Sequence, residues 1–200
     1  KFKKNIYNPT KKDLSFSSKM FIEDNDNFVV INKPAGIAVQ SGTKSKRNIL
    51  DILKKTKEFK DYTPYTVHRI DKETTGILIV AKNRKYAQLF TSLFRLRKIY
   101  KTYIAITLGS LKNKKGVLSD ILYHYEGKNR IETKAITNYE VINTNYNYSY
   151  IKLNPVTGRK HQLRKQLLLH GCPVLGDIKY NLTKNKKNQY LMLHAYKISF

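Results

Sequence analysis

The sequence predicts an α+β fold, a mixed and largely antiparallel central sheet with flanking helices and loops. Three observations predict it. Segments with strand character outnumber those with helical period, turn-rich stretches join several of them, and the helical segments are interspersed without strict βαβ alternation.

In chain order, residues 1–20, "KFKKNIYNPTKKDLSFSSKM", are basic and lack a sustained period, which predicts an arm or linker with little regular structure. "NFVVINKPAG" is a short apolar strand stopped by Pro34 and Gly36, and "NILDILKKTKEF" places Ile49, Ile52 and Leu53 on one helical face. The run "ILIVAK" after "VHRIDKETTG" is apolar and β-branched without interruption, as a strand buried on both faces requires. Asn83 is placed to cap the next helix, in which Tyr86, Leu89, Phe90, Leu93 and Phe94 recur at helical spacing.

"IYKTYIAITLG" alternates, with Tyr103 and Ala105 on one face and Thr102, Ile104 and Ile106 on the other. "KAITNYEVIN" and "YSYIKLN" form a hairpin across the turn-rich "TNYN". A helix is expected in "TGRKHQLRKQLLLHG", opening near Thr157 and Gly158 and ending at Gly171. The closing "LMLHAYKISF" reads as a strand.

Two hundred residues at 40% hydrophobic and 12% aromatic content suffice for a buried core, which excludes a disordered chain. Charge points outward, to a partner. A formal net charge of +25, from 39 Lys and Arg against 14 Asp and Glu, predicts attraction to a polyanion. Lys, Asn, Ile and Tyr are all abundant, as codon drift toward A/T produces, so part of that excess carries no information about a partner. Arginine is more telling, because its planar fork cannot be replaced by Lys. Of only eight arginines, Arg69, Arg159 and Arg164 fall in the two densest polar clusters.

The single cysteine, Cys172, excludes an internal disulfide and a Cys-based metal site, and predicts a reducing, cytoplasmic compartment. No apolar run approaches a membrane span, and no signal-peptide core opens the sequence. The five His, at 68, 124, 161, 170 and 194, lack metal-ligand spacing, so no metal and no cofactor are expected. "HRID" evokes the kinase HRD, but Ile70 breaks the contiguity, and a DFG motif and a phosphate loop are missing. A serine-hydrolase elbow is missing too, and nothing marks Cys172 as activated.

Two clusters carry the candidate chemistry. In "VHRIDKETTG", Asp71 precedes a buried strand, where a carboxylate must be hydrogen-bonded or kept for a reaction. A turn-capping Asp, a satisfied core His68 and a solvated Arg69 are the plain alternatives. In "NPVTGRKHQLRKQ", His161 and Arg164 lie three apart on the expected helix, with Thr157, Gly158 and Arg159 at its amino end, where N–H groups favour an anion. An amphipathic helix with basic ends is the alternative there.

"VHRIDKETTGILIVAKN" resembles the signature of the RluA family of pseudouridine synthases, HRLD followed by TSG or TTG and an apolar strand. "IEDNDNFVVINKPAGIAVQSG", "KIYKTYIAITLG", "TGRKHQLRKQLLLHGCPVLGDIKY" and "LMLHAYKISF" fall in the family's order, so the resemblance covers about residues 21–200. It departs from the family pattern at Ile70, Thr75 and Lys160, none of them a catalytic position.

The resemblance implies a pseudouridine synthase fold, with an arm at 1–20 left after an S4 domain and a catalytic domain from residue 21 that continues past the last residue. It also implies roles. Asp71 is the catalytic residue, Tyr103 packs against the target base, Arg164 pairs with the aspartate, and Arg69 fills the gap left by a flipped nucleotide. His68, Thr75, Arg159, His161 and Gln162 complete the expected RNA-binding set.

The implied reaction isomerises uridine in large-subunit ribosomal RNA, of the type carried out by the RluC-like members, by an enzyme expected to act as a monomer without metal or membrane. The same chemistry on transfer RNA is one alternative. A non-catalytic RNA-binding or ribosome-assembly module is the other, although such a module has no use for Asp71, which opposes the basic field.

Overall fold

The computed structural model describes residues 7–42, 45–127, 129–180 and 190–200. The chain divides into two compact units, 1–98 and 99–200.

The first unit begins with helix α1 (Lys11–Ser17), strands β1 (Phe21–Asp24) and β2 (Phe28–Lys33), and helix α2 (Ile49–Leu53). A 3-10 turn (Lys57–Phe59), strands β3 (Tyr65–Thr66) and β4 (Thr75–Ala81), and helix α3 (Arg84–Arg95) complete it. β2 lies antiparallel between β1 and β4, and β3 also pairs antiparallel with β4. β4 justifies the uninterrupted apolar reading, since Leu78, Ile79, Val80 and Ala81 are all buried. In β2, Val29, Ile31 and Lys33 share the buried face, so the two-residue period turns a lysine inward.

The helices follow the sequence reading in most respects. Ile49, Ile52 and Leu53 of α2 are buried, and the Asn83 side chain accepts the Tyr86 N–H at the start of α3. Leu89, expected on the buried face of α3, is 49% exposed, and Ala87 packs in its stead.

The arm at 1–20 departs from expectation, because α1 is a helix docked on this unit. Residues 1–6 of that arm lie outside the described residues. Thr10 and Asp13 form a reciprocal capping box. The buried Asp13 carboxylate also takes the Tyr7 hydroxyl at 2.7 Å and the Arg47 Nε at 2.8 Å. Burial alone would raise the Asp13 carboxyl, but the bonds from Tyr7, Thr10 and Arg47 hold it well below the carboxylate range. Periodicity could not reveal α1, since its seven residues are held by a cap and a distant Arg instead of an apolar stripe.

The second unit orders five strands as β9-β5-β8-β7-β6, with every neighbouring pair antiparallel. They are β5 (Tyr100–Leu108), β6 (Lys115–Glu126), β7 (Asn129–Thr144), β8 (Tyr148–Pro155) and β9 (Leu193–Ser199). Helix α4 (Gln162–Leu169) packs on the sheet, where Leu163 and Leu167 join Leu118, Val141, Ile151, Leu153 and Cys172 in one apolar cluster. Gln162 and Gln166, one turn apart, face the strands as well. Gln166 Nε2 donates to the carbonyls of Leu118 and Ala135 and to Asp120 Oδ2, while its Oε1 accepts from Thr137.

The β7–β8 hairpin stands where expected, but β7 extends back to Asn129 and pairs along its length with β6. α4 starts at Gln162, five residues after Thr157. Gln162 Oε1 accepts the Thr157 hydroxyl at 2.7 Å and the Arg159 N–H at 2.9 Å, and this folds 157–161 into a loop. His161 is the cap, in left-handed backbone conformation at φ 55°. It therefore does not share a helical face with Arg164. Gly171, at φ 74°, ends the helix as expected.

Candidate active site

In the first unit, "VHRID" lies in an irregular segment between β3 and β4. Val67 and Ile70 are buried, Arg69 is exposed, and His68 and Asp71 are half-buried. Two apolar anchors, Val67 and Ile70, thus flank His68 and Arg69, and Ile70 directly precedes Asp71. Thr74 N–H closes the following turn on the Asp71 carbonyl, and Thr75, the first residue of β4, continues it into the strand.

Two devices fix this segment. His68 Nε2 accepts the Ile79 N–H at 2.9 Å, one residue before Val80 pairs with Thr66, so the imidazole extends the β3–β4 ladder with a side-chain acceptor. Its ring stacks on Phe94 at 4.6 Å, with 26° between the planes. Beyond Asp71, the Lys72 carbonyl accepts the Gly36 N–H at 2.9 Å and the Lys33 ammonium at 3.0 Å. Gly36 stands at φ 79°, a conformation that side chains disfavour.

Lys33 is fully buried, and its three N–H bonds go to the carbonyls of Pro34, Ile37 and Lys72. Burial pulls the ammonium down to about 8, while the charges of Glu73 and Asp71 act in the opposite sense. β2 therefore ends in a cation that holds the segment carrying Asp71. Sequence reasoning used Pro34 and Gly36 only as a strand stop and passed over Lys33. A lysine in phase with Val29 and Ile31 on a buried strand face was the available signal.

In the second unit, Arg164 is 6% exposed and makes a bidentate pair with Asp177, Nε to Oδ2 and Nη2 to Oδ1, both at 2.7 Å. Burial alone would raise the Asp177 carboxyl, but the Arg164 bonds and the N–H groups of Tyr180 and Lys179 hold it below its ordinary value. The Arg164 guanidinium also lies over the Tyr180 ring at 5.0 Å. Tyr180 turns its hydroxyl to His161 Nδ1 at 2.8 Å, so Arg164, Asp177, Tyr180 and His161 form one cluster.

A tight approach builds that turn. Gly176 stands at φ 76°, and a Cβ there would lie 2.0 Å from the Tyr190 carbonyl oxygen. Asp177 and Tyr180 were not singled out from the sequence. The signal existed, because Asp177 is the only acidic residue after Glu140.

The remaining expected residues divide by position. Tyr103 pairs in register with Leu153 and Ala195 and packs, partly buried, against the apolar cluster. Gln162 is buried, with its amide donating to the Ile136 carbonyl and the Thr137 hydroxyl. Arg159 is exposed, and its Nε donates to the Lys134 carbonyl at 3.1 Å. Among the described residues, no group of three or more His, Cys, Asp or Glu could hold a metal ion. No described helix is long and apolar enough to cross a membrane.

Asp71 and Arg164, singled out by the quoted motifs, stand on an α+β scaffold, while the Lys33 turn and the Asp177 clamp beside them are what the fold adds. The sequence profile of RNA pseudouridylate synthase matches residues 27–169. The chain belongs to the RluA family of RNA pseudouridylate synthases.

It is 40% identical over 187 residues to the ribosomal large subunit pseudouridine synthase C of Rickettsia conorii, covering 85% of this chain and 59% of that protein. Against the protein of the same name from Buchnera aphidicola it is 32% identical over 206 residues, covering 96% of this chain and 65% of that one. The chain therefore spans less than two thirds of the length of these relatives. The structure of human RNA pseudouridylate synthase domain containing 4 superposes with a TM-score of 0.79 at 27% identity, covering 94% of this chain and 87% of that chain. The fold is thus that of the pseudouridine synthases.

Proposed function

We propose that this chain isomerises uridine to pseudouridine in large-subunit ribosomal RNA, with Asp71 as the catalytic residue. The observation that carries the reading is the way the aspartate is presented. The segment bearing it is pinned on one side by His68 and on the other by Lys33 and Gly36 through the Lys72 carbonyl. Preorganisation of this kind is what chemistry on a positioned carboxylate needs. The names of the bacterial relatives supply the substrate class.

The reaction breaks the C1′–N1 bond of uridine, turns the base and forms a C1′–C5 bond. The C5 hydrogen leaves and N1 gains one, so the atoms balance without an oxidant. The target base must leave its stack to be reached, and Tyr103 is the proposed aromatic platform, with Arg69 filling the void. Arg164, held by Asp177 in a bidentate pair, is proposed as a further catalytic residue. His68 and Gln162 are assigned to positioning, because His68 Nε2 takes the Ile79 N–H and the buried Gln162 amide is bonded to Thr157, Arg159, Ile136 and Thr137. Thr75, Arg159 and His161 remain proposed RNA contacts.

A cytoplasmic location is part of the same reading. Its support is the ribosomal class of the bacterial relatives, together with a single cysteine, which leaves no internal disulfide to form. Tritium release from 5-³H-uridine-labelled ribosomal RNA tests the whole proposal, because the C5 hydrogen is lost only if the new C–C bond forms there. Release from transfer RNA alone would move the substrate. Tight RNA binding without release from either would favour a binding module.

A further inference from the structure

The β6–β7 hairpin carries a surface that the proposed chemistry leaves unused. β6 ends the strand order, and α4 covers the face that holds Leu118. On the opposite face Val117, Ile121, Tyr123 and Tyr125 are 58%, 59%, 51% and 65% exposed. Their register partners on β7 include Lys134 opposite Ile121, Glu132 opposite Tyr123 and Arg130 opposite Tyr125. Charge alone would suffice to keep an edge strand from aggregating. It gives no reason for Val117, Ile121, Tyr123 and Tyr125 to face water on the same side of one strand.

The cations are arranged around the aromatic rings. The Arg130 guanidinium lies 4.6 Å from the Tyr123 ring centre, and the Tyr125 ring meets Tyr123 edge to face at 6.3 Å. Arg130 also pairs with Glu132 at 2.7 Å, so one charge on this face is balanced. Lys165, reaching over from α4, places its ammonium 5.6 Å from the same ring and donates to the Tyr123 carbonyl at 2.8 Å. Burial, and then repulsion from Lys179 and Lys160, lowers the affinity of Lys165 for its proton.

Exposed tyrosines flanked by Arg and Lys offer a ring face for a base and donors for its phosphate. A protein strand added to the β6 edge is the competing occupant, but Lys165 already takes a β6 carbonyl that such a strand would want. The charge on this face favours a polyanion.

We propose that the outer face of the β6–β7 hairpin is a stacking platform for unpaired nucleotides of the RNA, with Tyr125 receiving a base, Tyr123 bracing the Tyr125 and Arg130 side chains, and Arg130, Lys134 and Lys165 contacting phosphates. The proposal rests on the reading of the substrate as RNA. It adds an RNA contact on residues to which no catalytic role is assigned.

The test measures affinity by fluorescence anisotropy for a short single-stranded oligoribonucleotide and for a duplex of the same sequence, with the whole chain. Tyr125→Ala should weaken single-strand binding about tenfold, within the range for loss of one stacked base. Duplex binding and turnover at saturating RNA should hold, and Tyr125→Phe should bind as wild type does. Single-strand binding by Tyr125→Ala within twofold of wild type would overturn the platform. Equal losses on single strand and duplex would also overturn it, since stacking requires unpaired bases.

Tritium release by the wild type, read in parallel, separates the two proposals. Release with unchanged Tyr125→Ala binding removes the platform alone. Absence of release with the stacking loss intact removes the isomerase reading alone.

Discussion

His68 Nε2 accepts the backbone N–H of Ile79 at 2.9 Å, so an imidazole stands where a neighbouring strand would supply a carbonyl. Ile79 is 1% exposed, and water cannot readily take over that bond. His68→Ala should therefore cost about 1–3 kcal/mol, the penalty for a buried donor left unsatisfied. Turnover at saturating RNA should fall as well, because the segment carrying Asp71 loses one of its two anchors. His68→Gln keeps an acceptor and should recover part of both. Urea denaturation and single-turnover rates on the two variants check this, and equal rates for Ala, Gln and wild type would remove the positioning role.

Lys33 makes stability depend on pH in a stated direction. Its folded value of about 8 lies below the ordinary 10.5, so between those values the unfolded chain holds a proton that the folded chain has released. Stability should then rise with pH across that window by up to about 1.4 kcal/mol per unit, and level off above it. Other groups titrate in the same range, so the contribution is read as the difference between wild type and Lys33→Met. A difference that stays flat from pH 8 to 10.5 would contradict the burial of the cation.

The Arg164–Asp177 pair uses two parallel bonds that an ammonium cannot reproduce. Arg164→Lys and Asp177→Asn should each destabilise the protein by about 2–4 kcal/mol, as loss of one member of a buried pair does, and lower turnover at least tenfold. Lys160→Ala, at an exposed position, should stay within about 0.5 kcal/mol of wild type. Thermal melts and tritium-release rates on the three variants decide it.

Tyr103→Phe keeps the ring while removing the hydroxyl. If the residue is an aromatic platform, RNA affinity should be preserved within about twofold and turnover should change little. Tyr103→Leu should lower turnover by at least tenfold. Comparable rates for Phe and Leu would show that the aromatic face does no work at this position.

Where periodicity and burial agree, the elements were legible. β2, β4, α2, α3 and β5 each carry a clear apolar pattern, and Asn83 announced its cap. α1 was illegible because its stability comes from a capping box and a carboxylate shared with Arg47, which is 34 positions away. β6 was passed over because Ile121, Leu122 and Tyr123 follow one another, so exposed and buried apolar residues blur the alternation.

The site divides along similar lines. Motif residues such as Asp71 and Arg164 stand out from the sequence, whereas the partners that hold them depend on the fold. Lys33 reaches the Lys72 carbonyl and Arg164 reaches Asp177 only once the chain is folded. His68 shows the reverse relation, since the plain alternative of a satisfied histidine describes its bond to the Ile79 N–H, and that bond suits it to positioning Asp71.

Tritium release from 5-³H-uridine-labelled large-subunit ribosomal RNA, comparing wild type with Asp71→Asn, tests the central claim most directly. The account predicts release by the wild type and none by Asp71→Asn, while the variant binds the RNA as tightly as wild type. Release by Asp71→Asn at a rate comparable to wild type would contradict it, because the carboxylate would then play no part in the reaction.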